Sequence, residues 1–263
     1  METRSVSFSR AWYNIVEALL LAVLMTSAAQ AQRTVDPANE VQRLSRTAQV
    51  AFQQGRFEDA IRFYNQIVLL STQSPKTAAR AQLQIGNADM QLKKFDLAVA
   101  AFQRAAALDP GLAEVWNNLG ESLGELRQYP RALEAFTKAA AVDPGLSKAR
   151  YNMGVTYDRL GQLKYAEFVY RHLIRDKPEY SLAYDGLAVS LSKSGRASEA
   201  IAFHQKAIAL NPHDGSYYFN LAISYLILGD RAKALEQQEK LKQIDPQMAS
   251  RLAGVIIKHQ QSG

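Results

Sequence analysis

The chain has 263 residues, of which 48% are hydrophobic and 21% are charged. This composition is sufficient to bury a core and excludes disorder of the whole chain. Lysine and arginine together number 31 against 25 acidic residues, for a formal charge of +6, and there is no cysteine. The basic residues are dispersed, and the lack of cysteine excludes disulfides, thiolate metal sites and a thiol nucleophile.

The first 31 residues have the pattern of a secretory signal peptide. Arginines precede an apolar run at residues 18–25, and Ala29 and Ala31 supply the small residues of an A-x-A cleavage site. The apolar run is short for a membrane span. We therefore expect an exported, periplasmic protein that begins at Gln32 and has no stable membrane insertion. The alternative is a chain tethered to a membrane by an uncleaved N-terminal segment.

An internal repeat follows, and its period is set by five prolines spaced 34 residues apart, at Pro110, Pro144, Pro178, Pro212 and Pro246. With each proline at place 32 of its unit, the unit starts fall near residues 41, 79, 113, 147, 181 and 215. The first start allows for four extra residues around 71–74. Residues 32–40 are predicted to be a short linker before the first unit.

Small residues recur at two places of this repeat. Place 8 is always glycine or alanine, and place 20 is alanine in all six units, at Ala60, Ala98, Ala132, Ala166, Ala200 and Ala234. Small side chains allow two helix axes to approach closely, and the large apolar residues beside them have helical spacing. Each unit is therefore predicted to be two antiparallel helices, the second of which ends before the proline.

The W-x2-L-G run at Trp116 to Gly120, the alanine at place 20, the aromatic residue four places later and the final proline together resemble the tetratricopeptide repeat. The resemblance covers residues 41–246 and implies an all-α, right-handed α–α superhelical solenoid of about six helix–turn–helix units. The remaining residues, 247–263, are predicted to form a capping helix and tail, with docking onto a partner as the alternative role of this helix.

The resemblance also implies a concave groove whose wall is formed by the first helix of each unit. At the places that face this groove, the candidate peptide-binding residues are Asn87, Asn117, Asn118, Lys148, Tyr151, Asn152, Arg159, Lys193, Phe219 and Asn220. Three of these asparagines share place 6, and their amides can pair with the backbone of an extended peptide. The alternative is that asparagine at this place serves only solvation and packing, and Gly186 interrupts the row.

Some proteins of this family clamp a C-terminal carboxylate between asparagines and basic residues. Asn87, Asn118 and Lys148 match that pattern, but Leu83 and Asn152 stand where two of the basic residues would be. We therefore do not predict a carboxylate clamp.

The sequence contains no pattern that indicates catalysis, a metal site or a cofactor. The four histidines have no metal-ligand spacing, and His204 occupies an aromatic place of the repeat, which favours a core position. Nucleic-acid binding is not predicted, because the chain is expected to be exported and Glu121 and Glu125 lie in the middle of the groove.

We predict a non-catalytic scaffold of the cell envelope that binds a protein or peptide segment in its concave groove. The alternative is a structural subunit of a secretion or envelope-biogenesis complex that uses its convex face or its C-terminal helix. The sequence leaves the oligomeric state open.

Overall fold

The computed structural model describes residues 36–262, so the predicted signal peptide, residues 1–31, lies outside the described residues. The described part folds into thirteen α-helices and contains no strand. In chain order the helices are α1 (Pro37–Gln53), α2 (Phe57–Leu70), α3 (Pro75–Gln91), α4 (Phe95–Leu108), α5 (Ala113–Glu125), α6 (Tyr129–Val142), α7 (Ser147–Arg159), α8 (Leu163–Asp176), α9 (Ser181–Lys193), α10 (Ala197–Leu210), α11 (Gly215–Ile227), α12 (Arg231–Ile244) and α13 (Pro246–Ser262).

The helices pack in sequence order, as the solenoid prediction requires. Each odd-numbered helix up to α11 pairs with the helix that follows it, and α13 packs on both α11 and α12. Successive first helices from α3 onward also contact one another, whereas the second helices pack chiefly against the first helices before and after them. The first helices therefore lie closest together and form the inner wall of the array. The predicted all-α solenoid of six helix–turn–helix units is confirmed.

The turn inside each unit contains one residue in the left-handed region. Four units use glycine there, but Lys93 and Arg127 each have a φ of 57°. Backbone bonds from the following residues close these turns, with the amide of Lys94 donating to the carbonyl of Asp89 at 2.8 Å. A side chain in this conformation is costly, so the turn is held by the packing of the two helices that it joins.

The turn between units is built on Asp-Pro-Gly where that tripeptide occurs. The Asp109 carboxylate accepts the Gly111 amide at 3.1 Å, and Asp143 accepts the Gly145 amide at 2.8 Å. An aspartate that bonds to the backbone two residues ahead stabilises such a turn. Pro246 differs from the other four repeated prolines because it is the first residue of α13, where its missing N–H is not needed.

The first two units begin earlier than the sequence period suggests. Helix α1 begins at Pro37, inside the segment 32–40 that was predicted as a linker, and α3 begins at Pro75 rather than at residue 79. Both helices are one turn longer than the other first helices because a proline suits the first position of a helix. In α1 the Asp36 carboxylate adds a cap by accepting the Ala38 amide at 3.1 Å.

The predicted small residues lie at the helix crossings. All six alanines at place 20 are fully buried, and every residue at place 8 is buried. Glycine is required at place 8 of the third unit, because a Cβ on Gly120 would lie 2.6 Å from a ring carbon of Phe136. The small side chains therefore admit both the neighbouring helix and its aromatic residue.

Ala132→Leu should lower the free energy of unfolding by about 1–3 kcal/mol, because the larger side chain overfills the crossing of α5 and α6. Ala132 has no exposed surface, whereas Ala141 on the same helix is exposed. Urea denaturation followed by circular dichroism measures the effect, and Ala141→Leu is the matched control, expected to change stability by no more than about 0.5 kcal/mol. Equal stability of the two variants would contradict the assigned crossing.

The C-terminal helix α13 covers the apolar end of the last unit. Leu252 and Ile256 are buried in a cluster with residues of α11 and α12, while Ile257 remains 53% exposed. The Asp245 carboxylate accepts the Met248 amide at 2.9 Å and so caps the helix start. No helix among residues 36–262 is both long and apolar enough to cross a membrane.

Candidate functional site

The ten predicted groove residues are distributed over five first helices. Asn87 lies on α3, Asn117 and Asn118 on α5, and Lys193 on α9, with the remaining residues on α7 (Lys148, Tyr151, Asn152, Arg159) and α11 (Phe219, Asn220). The structure brings these residues together in three separate groups along the wall, rather than in one continuous row.

The first group is a chain of side-chain hydrogen bonds across three helices, which we call the central network: Asn87, Asn117, Asn118, Glu121, Lys148 and Asn152. The Asn118 amide donates to Asn87 Oδ1 at 2.9 Å, and the Asn152 amide donates to Asn117 Oδ1 at 3.1 Å. Within α5, Asn117 Nδ2 donates to Asn118 Oδ1 at 3.1 Å. These amides, which were predicted to contact a bound peptide, are therefore bonded to one another.

Glu121 lies at the centre of this network. Its Oε1 atom accepts the amide of Asn117 at 2.8 Å and that of Asn152 at 3.0 Å, and it pairs with Lys148 Nζ at 2.8 Å. The side chain of Asn117 is buried, whereas Lys148 is exposed. The network thus runs from a buried layer out to the solvent-facing surface of the wall.

An open cavity of about 580 Å³, which we call the central cleft, lies beside this network. Asn152 and Arg159 of α7 line one side of it, and Glu121 and Glu125 of α5 line the other. Apolar lining is provided by Met90, Phe136 and Val155. The cleft therefore combines charged groups of both signs, an amide and apolar surface in a space large enough for several side chains.

The second group lies between α7 and α9 and is centred on Asp158. The Tyr170 hydroxyl donates to Asp158 Oδ2 at 3.1 Å, and the Ser190 hydroxyl donates to Asp158 Oδ1. Burial raises the pKa of the Asp158 carboxyl, which the hydrogen bond from Ser190 and the positive charge of Lys193 oppose. Two of the predicted groove residues, Lys193 and Arg159, are thus exposed cations beside this group.

Tyr151 contributes to packing in this region. Its ring lies 5.9 Å from that of Tyr170 and 6.2 Å from that of Tyr180, measured between centroids. Burial raises the pKa of Tyr151 and of Tyr170 above the ordinary range of tyrosine, so both hydroxyls keep their protons. The Tyr170 ring also explains the gap in the asparagine row, because a Cβ on Gly186 would lie 2.7 Å from it.

The third group joins α9, α10 and α11 around a buried carboxylate. Asp185 Oδ1 lies 2.7 Å from His204 Nδ1, and Asp185 Oδ2 accepts the Asn220 amide at 2.8 Å. The other ring nitrogen of His204 lies 3.2 Å from the Ser224 hydroxyl. His204 is fully buried, in agreement with the prediction of a core histidine.

Phe219 lies at the C-terminal end of the wall, next to α13. It packs in the same cluster as Met248 and Val255, and the Arg251 guanidinium lies 5.8 Å from the centre of its ring. Phe219 and Asn220 line a small cavity of about 70 Å³ with residues of α13. The C-terminal helix therefore covers part of the apolar surface that was predicted to face a partner.

A side-chain hydrogen bond links every pair of successive first helices from α3 to α11. One link from each of the four pairs is Asn118 to Asn87, Asn152 to Asn117, Ser190 to Asp158 and Asn220 to Asp185. Sequence reasoning missed the two aspartates and the serine. The hydroxyl that recurs at place 10 of the last four units was a partial signal. Ser190 and Ser224 bond to side chains of neighbouring helices, whereas Ser122 and Thr156 donate to carbonyls of their own helices.

No group of three or more histidine, aspartate or glutamate side chains able to hold a metal ion occurs among residues 36–259. The polar side chains of the wall bond to one another in pairs and networks.

Comparison with known proteins gives consistent results for the fold. Residues 16–255 match the family described as the cilia and flagella-associated protein 70 C-terminal domain. No curated protein sequence matches the chain. A tetratricopeptide repeat protein from Parabacteroides merdae ATCC 43184 has a TM-score of 0.73 at 18% identity, with 85% of this chain and 88% of that chain covered.

Two further solved structures are similar in fold. PilW, described as a widely conserved type IV pilus biogenesis factor, has a TM-score of 0.68 at 21% identity, with 81% of this chain and 98% of that chain covered. YrrB, described as a TPR protein with an unusual peptide-binding site, has a TM-score of 0.50 at 21% identity, with 67% and 92% covered. At these identities the likeness concerns the fold alone.

Proposed function

We propose that this chain is a non-catalytic scaffold that holds an extended segment of a partner protein in its concave groove. The chain belongs to the tetratricopeptide-repeat family, within the group described as the cilia and flagella-associated protein 70 C-terminal domain. Proteins of this fold act as protein-interaction scaffolds. The observation that carries the proposal for this chain is the open central cleft beside a wall of amide and carboxylate side chains.

The chemistry of the cleft suits a peptide segment. Each hydrogen bond to an asparagine amide contributes about 0.5–1.5 kcal/mol, whereas a micromolar complex requires about 8 kcal/mol. Apolar contacts must supply the difference, and the partly exposed side chains of Met90 and Val155 line the cleft where a partner could reach them. Glu121 and Glu125 would repel the phosphates of a nucleic acid, so a protein segment is the proposed partner.

The envelope location is also part of the proposal. It is supported by the signal-like pattern of residues 1–31 and by the likeness in fold to PilW, which is described as a pilus biogenesis factor. A structural subunit that uses its convex face is the second candidate. It is favoured by Tyr165 and Phe168 on the second helix α8, each of which is 61% exposed.

Replacing Asn87, Asn118 and Asn152 together by alanine should abolish partner capture while the chain remains folded. The full chain, produced in its native cell with a photo-cross-linking amino acid at Glu125 in the cleft, should form a cross-linked product that this triple variant loses. Mass spectrometry then identifies the partner. Release of the protein by osmotic shock of the same cells tests the periplasmic location.

The matched control replaces three amides on second helices, Asn65, Gln103 and Gln205, which are exposed on α2, α4 and α10. This control should retain the cross-link, and circular dichroism should show native helix content for both variants. Capture that survives the groove substitutions but is lost in the control would favour the convex-face candidate instead.

A further inference from the structure

The amides of the central network have a defined direction, and this direction selects the chemistry of the bound segment. We propose that Glu121 is a positioning residue that turns the amide oxygen of Asn152 toward the central cleft, so that the cleft binds a segment that donates a backbone N–H group there. This inference rests on the proposed groove function and specifies which backbone groups of the partner are recognised.

The argument begins with the carboxylate. An ionised glutamate accepts hydrogen bonds and donates none, whereas an asparagine amide has a donating end and an accepting end. Asn117 and Asn152 both contact the same oxygen, Glu121 Oε1, at 2.8 and 3.0 Å. Both side chains must therefore turn their Nδ2 atoms toward Glu121, since the opposite orientation would place two oxygens against each other.

This orientation propagates in both directions from Glu121. The second hydrogen of Asn117 Nδ2 goes to Asn118 Oδ1, which leaves the Asn118 amide to donate to Asn87 Oδ1. Both hydrogens of Asn152 Nδ2 are used, one by Glu121 and one by Asn117 Oδ1. One carboxylate thus sets the orientation of four amides on three helices.

The accepting end of Asn152 then faces away from the network. Of the four amides, Asn152 is the one that lines the central cleft, so its Oδ1 atom is the amide acceptor that the network offers to a bound segment. The same logic holds independently at the far end of the wall, where Asp185 Oδ2 accepts the Asn220 amide at 2.8 Å and turns Asn220 Oδ1 away from the carboxylate. At both places the wall presents an acceptor, for which a backbone N–H is the complementary group.

The cleft should therefore disfavour segments that carry proline or an N-methylated residue at the position opposite Asn152. A segment that lacks the N–H opposite Asn152 would leave the amide oxygen without a donor after water is excluded, at a cost comparable to a lost hydrogen bond. Replacing Glu121 by glutamine, which can donate as well as accept, would remove the fixed orientation.

Exchange of the side-chain amide protons with solvent tests the orientation without any ligand. In the full chain labelled with ¹⁵N-asparagine, the amide protons of Asn117 and Asn152 should exchange about tenfold more slowly than those of an exposed asparagine, because both protons of each are bonded. Glu121→Gln should abolish this protection. Glu125→Gln, one turn further along α5 in the same cleft, should leave it unchanged. Protection that survives Glu121→Gln would overturn the proposed role of Glu121.

A peptide probe tests the selection. A linear peptide chosen from a displayed random-sequence library for binding to the full chain is remade with each backbone N–H methylated in turn. Methylation at one position of the peptide should weaken its binding to the unchanged protein about tenfold. The same methylation should not weaken binding to the Asn152→Ala variant. Glu121→Gln should weaken binding of the unmethylated peptide and reduce the protein's discrimination against the methylated one. Glu114→Gln, which changes an exposed residue of α5 outside the cleft, should preserve that discrimination.

The outcomes separate the two proposals. A peptide whose affinity falls in Asn152→Ala but is indifferent to methylation at every position overturns the inference and leaves the groove function in place. A library that yields no peptide dependent on Asn87, Asn118 and Asn152 overturns the groove function, and with it the selection proposed here.

Discussion

Tyr170→Ala should lower the free energy of unfolding by about 3–5 kcal/mol, one of the two largest effects that we expect from a single substitution. Tyr170 is fully buried on α8, and its ring fills the space left by Gly154 and Gly186 on the two adjacent first helices. Truncation removes this contact from two units at once and leaves the Asp158 carboxylate without one of its two hydroxyl donors.

Chemical denaturation of the full chain measures this loss. Tyr165→Ala is the matched control, because the same residue type on the same helix is 61% exposed there and loses chiefly its stacking on Tyr157, at a cost of about 0.5–1.5 kcal/mol. Tyr170→Phe keeps the ring and removes only the bond to Asp158, and it should cost about 1.5–3 kcal/mol because the acceptor is charged. If Tyr170→Ala is no more destabilising than Tyr165→Ala, the described packing of units four and five is incorrect.

His204→Leu should lower the free energy of unfolding by about 3–5 kcal/mol, because it leaves the buried Asp185 carboxylate without its partner on α10. His204 Nδ1 lies 2.7 Å from Asp185 Oδ1, and the histidine has no exposed surface. His213→Leu serves as the control, since His213 is exposed between α10 and α11.

A double-mutant cycle distinguishes the pair from simple packing. Adding Asp185→Leu to His204→Leu removes the unpartnered carboxylate, so the double variant should be less destabilised than the sum of the two single variants. The coupling should amount to about 1–3 kcal/mol. Strict additivity would show that the two side chains do not interact in solution.

The sequence predicted the parts of the fold that have a strict steric cause. Alanine at place 20 and glycine or alanine at place 8 are demanded by close helix crossings, and every one of them is buried. The proline period has a similarly local cause, because the second helix of each unit ends before the proline. Helices α5 and α11 accordingly begin at Ala113 and Gly215, where the period places unit starts. The extra first turns of α1 and α3 were not predicted, because a turn added at the start of a helix does not change the spacing of the repeated prolines.

The candidate site was predictable only in part. The positions of Asn118 and Asn152 on the inner wall follow from the repeat, but their bonding partners lie 31 to 35 residues away and depend on the relative placement of neighbouring helices. Tyr151 illustrates the same limit: its place in the repeat faces the groove, yet neighbouring tyrosine rings draw it into the packing. Periodicity identifies the wall, whereas the network within it is a property of the assembled units.

The side-chain bonds between successive first helices have a mechanical consequence. When a partner pulls on one end of the array, the joints between units are loaded in series and bear the same tension, so extension concentrates at the most compliant joint. Four joints, from α3 to α11, carry a polar bond on their inner edge. The described residues include no such bond between α1 and α3, so at that joint the tension is carried by the packing of α3 against α2.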